Sequence, residues 1–177
     1  MAEKGSISIH AQNIMPVIKK WLYSDKDIFL REIVSNACDA IAKYKMLASS
    51  DQAQAEENYA VNIVADEEKG TLCVSDNGIG MTADEVRKYI AQVAFSGAEE
   101  FLKQYKPSEG ENGGIIGHFG LGFYSSFMVS DEVSIDTLSW EDGAQAVRWT
   151  SADGMEYEME PSQRTQRGTT VTMKIRI

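Results

Sequence analysis

The sequence predicts an α+β fold: a two-layer sandwich in which helices cover one face of a mostly antiparallel, twisted sheet. Three observations carry that prediction. An amphipathic helical pattern runs over residues 27–47. Two hairpin-linked strand patterns and a capped helix follow it. The last part of the chain then reads as four successive strands, with Asp142-Gly143 and Asp153-Gly154 as turns between them. Helices interleaved early and strands run together late suit an α+β layer arrangement rather than a doubly wound parallel sheet. At 177 residues, one domain with a sizeable core is expected over 1–177.

The elements follow in order. Ser6-Ile7-Ser8-Ile9-His10 alternates and suits a short edge strand. Pro16 fits the first turn of a helix leading into residues 17–23. Asp25 or Asp27 can cap the long helix. Residues 51–58 are polar and read as a loop or exposed turn. Residues 60–66 and 71–76 are strands joined by a turn at Glu68-Lys69-Gly70. Thr82-Ala83-Asp84-Glu85 is a capping-box pattern opening a helix through about residue 95. Residues 96–117 then change character, with Gly97, Gly110, Gly113, Gly114 and Gly117 around a short helical stretch stopped by Pro107. Long glycine-punctuated segments inside compact domains are commonly lids or disordered, and a lid is expected here. Residues 120–128 read as a buried helix, before strands at 132–138, 145–150, 155–160 and 169–177. No internal repeat or linker is visible.

Composition narrows the function. The net charge is −10, with acids spread along the chain. A nucleic-acid surface needs a basic stripe, so nucleic acid is not expected as a partner. An anionic ligand stays possible, because backbone N–H groups and Mg²⁺ neutralise phosphate locally. No apolar run reaches membrane-spanning length and no apolar leader precedes Ile7, so neither a membrane nor secretion is expected. Cys38 and Cys73 form no C-x-x-C pair and read as reduced, buried residues of a cytoplasmic protein.

Three segments carry chemistry. On a helical wheel of about 100° per residue, Glu32, Asn36, Asp39 and Lys43 fall within about 60° of one another. Leu30, Ile33, Val34, Ala37, Ile41 and Tyr44 take the other side. A solvated ladder of ion pairs is the plain reading of such a stripe. Against it stands the Ser35-Asn36 pair, two poor helix formers on a polar face. An asparagine oxygen is a hard, neutral ligand suited to Mg²⁺, and a glutamate one turn away can orient and deprotonate a water aimed at a terminal phosphate.

The second segment is Asp76-Asn77-Gly78-Ile79-Gly80-Met81, where a half-buried strand runs into a glycine turn. An acid at a strand end often only caps a turn. Two glycines in three residues instead imply a close approach of backbone, and a buried carboxylate needs a donor such as the adenine amino group. The third is Gly117-His118-Phe119-Gly120-Leu121-Gly122-Phe123. It is neither a P-loop nor a dinucleotide fingerprint, but it opens a helix whose first amides can wrap phosphates.

Taken together, "FLREIVSNACDA", "DNGIGM" and "GHFGLGFYSSFMVS" resemble the ATP-binding domain shared by gyrase, the 90-kilodalton heat-shock chaperones, histidine kinases and MutL. The wording is closest to the heat-shock chaperone branch in its bacterial HtpG form, from about Ile7 to the chain's end. The resemblance implies a Bergerat-type fold that binds ATP or ADP with Mg²⁺ and hydrolyses ATP slowly. It implies Glu32 as general base and Asn36 as the Mg²⁺ ligand, with Asp39 and Lys43 on the pocket rim. It implies Asp76 as the adenine contact, with Gly80 and Thr169 sharing ordered water and Met81 as an apolar wall. Gly117, Gly120 and Gly122 would hold phosphate and Phe123 would line the pocket. Tyr124 and Phe127 read better as core.

Two departures stand out. Phe95 occupies the position of a lysine that approaches phosphate in many members. The family also continues into a middle domain, which supplies an arginine to the γ-phosphate, and a C-terminal dimerisation domain, and neither is expected within these 177 residues. Client proteins and a homodimer are therefore expected of a full-length form, with this piece a monomer. A nucleotide-sensing module with negligible turnover is the alternative. A phosphotransferase of the same superfamily would need a phospho-acceptor histidine, and neither His10 nor His118 has that context.

Overall fold

The computed structural model describes residues 3–6, 28–56, 58–92, 126–154 and 156–175. Seven strands and three helices fall within them: β1 (Glu3–Ser6), α1 (Ile28–Ser49), β2 (Val61–Asp66), β3 (Thr71–Asp76), α2 (Ala83–Gln92), α3 (Ser126–Val129), β4 (Ser130–Leu138), β5 (Val147–Ser151), β6 (Glu156–Pro161) and β7 (Gly168–Ile175). The strands form one sheet in the order β1-β6-β5-β4-β7-β3-β2. Every neighbouring pair is antiparallel. The α+β expectation holds.

Strand registry separates the two faces of the sheet. One row crosses it as Val74, Val171, Ile135, Trp149 and Met159. Side chains alternate along a strand, so the next residue of each strand points to the opposite face. That face carries Ser75 against Thr170 at 2.9 Å, and Asp136 holding Arg148 and Ser162 at 2.8 Å each. The apolar face is roofed by α1 through Ile33 and Ala37, by α2 through Val86 and by α3 through Phe127. Phe127 meets Trp149 edge to face, which confirms it as core.

Local sequence explains the helix ends. Thr82 and Glu85 form the reciprocal capping box, with Thr82 N donating to Glu85 Oε1 at 2.8 Å and Glu85 N to Thr82 Oγ1 at 3.2 Å. The long helix extends two residues past its expected end at Leu47 and stops where Asp51 turns to φ 61°.

Two expectations need correction. The first strand is Glu3–Ser6, ahead of the expected residues 6–10, of which 7–10 lie outside the described residues. Its sequence has no apolar alternation, and pairing with β6 defines it: Lys4 meets Glu158, and Arg87 grips Glu3. Cys38 is exposed rather than buried, because it follows Ala37 around the helix and turns away from the sheet. The described strand boundaries otherwise agree with expectation to within two residues, and β3 matches it at both ends. The expected helix at residues 17–23 and the lid at 96–117 lie outside the described residues, as do Phe95, Gly117, Gly120, Gly122, Phe123 and Tyr124.

Candidate active site

A cavity of about 220 Å³ opens between α1, α2 and the end of the apolar sheet face. Its floor is the Val74, Val171 and Ile135 row, and Asn36, Asp39 and Lys43 of α1 reach it from one side. Asp76, Gly80, Met81 and Thr169 close the opposite end. Thus Asn36, Asp39, Asp76, Gly80, Met81 and Thr169 are brought around one space from positions as far apart as 36 and 169.

Asp76 and Thr169 are cross-strand partners, and Thr169 is in turn opposite Thr137. This polar row lies beside the apolar floor, on the same face. Asp76 is 6% exposed and accepts a 2.8 Å bond from Gly78 N. Burial raises its carboxyl above the usual value, against the lowering effect of Gly78, Arg164, Thr169 and Arg167. Thr137 is fully buried. Its Oγ1 accepts Met81 N–H at 2.9 Å and lies 2.8 Å from Thr169 Oγ1. One hydroxyl therefore joins the glycine turn to the last strand.

The glycines of the turn are steric necessities. A side chain at Gly78 would collide with the α1 backbone at Ala40 and Ile41. Gly80 has φ +67°, and a Cβ there would fall on the carbonyl of Leu138. Close packing brings bonds with it: Ile79 N donates to Ala40 O at 3.0 Å, and Trp140 N to Ile79 O at 2.9 Å. From the far side, Arg167 donates to the carbonyls of Gly78 (3.0 Å) and Asn77 (2.7 Å). Its guanidinium also stacks on Tyr44, 3.7 Å from the ring centroid. Arg164 adds a bond to the carbonyl of Asp76 at 3.3 Å.

On α1, Asn36 Nδ2 donates to the hydroxyl of Tyr89 at 3.0 Å. Burial, with the nearby charges of Glu32 and Asp39, pushes the Tyr89 phenol up to about 12. Glu32 is one turn from Asn36 and half-buried, but does not line the described cavity. Its carboxyl is raised by burial first and by Asp39 second, with Arg31 opposing. A raised carboxylate is a stronger base.

Thr137, Arg164, Arg167 and Tyr89 were not singled out in the sequence. Thr137 had a readable signal, as a hydroxyl in the inward register after Val133 and Ile135.

The profile described as "Histidine kinase-, DNA gyrase B-, and HSP90-like ATPase" matches residues 24–170, which include every residue lining this cavity except Val171. The chain belongs to that ATPase family. Among similar proteins, chaperone protein HtpG of Porphyromonas gingivalis is 51% identical over 176 residues, covering 99% of this chain and 25% of the relative. HtpG of Bacteroides fragilis is 49% identical over 174 residues, with 98% and 25% covered. HtpG of Pasteurella multocida is 44% identical over 158 residues, with 88% and 25% covered. The chain thus spans about a quarter of the length of these curated relatives. As an ATPase domain it binds ATP, and the seven-stranded sheet with its helical roof agrees with the Bergerat-type fold expected for the family.

Proposed function

We propose that this chain is the nucleotide-binding domain of an HtpG-type chaperone, with Asp76 reading adenine and Glu32 serving as the general base for slow ATP hydrolysis. The observation that carries the reading is the buried Asp76 carboxylate at the polar end of an apolar floor. A flat apolar base fits that floor, and its exocyclic amine supplies the donor the carboxylate wants. Gly80 and Thr169 hold water beside it, and Met81 walls the base.

Asn36 suits Mg²⁺ as a single protein ligand. Among the described residues no group of three or more His, Cys, Asp or Glu could hold a metal by itself. Mg²⁺ commonly keeps waters and takes phosphate oxygens besides one or two protein ligands. When bound, it would neutralise phosphate charge. Asp39 and Lys43 line the same rim, and Glu32 deprotonates the attacking water. Gly117, Gly120, Gly122 and Phe123 complete the phosphate side in this reading, with residues 96–117 as the lid. Client proteins and homodimerisation belong to the longer cytoplasmic protein, and the domain alone is a monomer.

Asp76→Asn tests the reading. The amide oxygen still accepts Gly78 N–H, but its NH₂ meets the adenine amine donor to donor. Calorimetry should show ADP affinity weakened by about 2–4 kcal/mol. Unchanged affinity in a folded variant would remove Asp76 from the adenine site.

A further inference from the structure

The strongest unassigned feature is the bond between α1 and α2 at Asn36 and Tyr89. An asparagine amide is nearly symmetrical in shape but not in chemistry: one end donates and the other accepts. Turned one way it offers a cation an oxygen; turned the other, two positively polarised hydrogens. Asn36 spends its Nδ2 on the Tyr89 oxygen, and its Oδ1 accepts no bond from any described residue while the side chain lines the cavity. We propose that Tyr89 is a positioning residue that fixes this amide with its oxygen toward the metal and nucleotide. The inference rests on the reading of Asn36 as the Mg²⁺ ligand.

The phenol is well suited to the role. Its oxygen accepts the amide N–H at 3.0 Å, and the ring lines the same cavity as Asn36. Its helix is also fixed independently, by the Thr82–Glu85 cap and by Val86 in the core. Outer partners that orient a ligand commonly alter metal affinity by about 10–100-fold, and a neutral amide held by one bond belongs near the lower end.

Tyr89→Phe keeps the ring and deletes the acceptor. ADP affinity is measured by calorimetry with saturating Mg²⁺ and again with EDTA, in the parent chain, Tyr89→Phe and Asn36→Ala. The gain in affinity on adding Mg²⁺ should shrink by about 3–10-fold in Tyr89→Phe, with the EDTA affinity held within about twofold. Equal losses in both conditions would make Tyr89 a packing residue and overturn the proposal, as would an unchanged gain. Asn36→Ala separates the two levels. If it abolishes the Mg²⁺ gain while Tyr89→Phe leaves the gain intact, only the positioning role fails. If Asn36→Ala keeps the gain, the metal reading fails and the proposal with it. Should Tyr89→Phe be unfolded by circular dichroism, Tyr89→His restores an acceptor on a ring, and its Mg²⁺ gain should exceed that of Tyr89→Leu. Equal gains in those two would overturn the proposal.

Discussion

Thr137→Val removes a single oxygen from the centre of the site while leaving the shape of the side chain. That oxygen accepts Met81 N–H at 2.9 Å, lies 2.8 Å from Thr169 Oγ1 and 3.2 Å from Gly168 O. Stranding the Met81 N–H costs about 1–3 kcal/mol, and the lost threonine bond about 0.5–1.5 kcal/mol more. The added methyl returns roughly 0.8 kcal/mol of apolar burial. A net loss of about 1–4 kcal/mol is expected. For a chain of this size each kcal/mol moves Tm by about 2–4 °C, so the variant should melt about 2–16 °C below the parent. Thr169 loses its tether to β4 at the same time, and ADP affinity should fall by about 3–10-fold. Urea denaturation and calorimetry read the two effects. Thr137→Ser is the control, since it keeps the oxygen and loses only a methyl, at about 0.8 kcal/mol. The reasoning is refuted if Thr137→Val lies within about 0.5 kcal/mol of the parent. It is equally refuted if the serine variant is as unstable as the valine one.

Glu32→Ala should bind ADP as well as the parent or slightly better, because a negative charge leaves the phosphate side. Hydrolysis, followed in a longer chain of the kind the relatives have, should drop by about 10²–10⁴-fold. Arg167→Lys should lose the paired bonds to Asn77 and Gly78 and the stack on Tyr44, lowering stability by about 1–3 kcal/mol in urea, since a point charge does not replace the planar fork. Asp76 makes a pH prediction. Burial holds its carboxyl above the ordinary 3.8, so the folded protein binds that proton more tightly than the unfolded chain. Its contribution is greatest below 3.8 and is lost as pH rises through the raised value. Asp76→Asn abolishes this titration, so ligand-free stability of the variant relative to the parent should climb as pH rises from 3.8 through the raised value, read in stepwise urea titrations.

The residues legible in the sequence are those whose local pattern conflicts with a purely structural role. Asn36 stands out as an amide where a lysine or glutamate would suit the helix better. Asp76 and Gly80 stand out because a carboxylate and close-approach glycines share one turn, and the structure gathers these with Asp39, Met81 and Thr169 at one cavity. Glu32 lies a turn beyond the described lining, since spacing fixes its side of the helix but not where the cavity ends. Arg167 was hidden for a different reason, its partner Gly78 being 89 residues away, and Thr137, though its inward register was readable, has a partner in Met81 56 residues away that was not. Such contacts arise from strand order, and nothing in a local window encodes that β7 lies between β3 and β4. The strand at Glu3–Ser6 was missed for the same reason, because only its neighbour makes it a strand.

That placement of β7 sets a clock on the protein's synthesis. β7 follows the other six described strands in the chain, yet it is an interior strand of the sheet, hydrogen-bonded to β3 on one side and β4 on the other. Until it arrives, the two halves of the sheet have no common edge, and Asp76 and Thr137 have no Thr169 between them. A nascent chain should therefore be blind to nucleotide until residues 168–175 are free to insert, and gain sensitivity abruptly when they are. Because closing β7 against β3 joins residues roughly a hundred positions apart, this step is also the one in which a bound nucleotide can most favour the folded product.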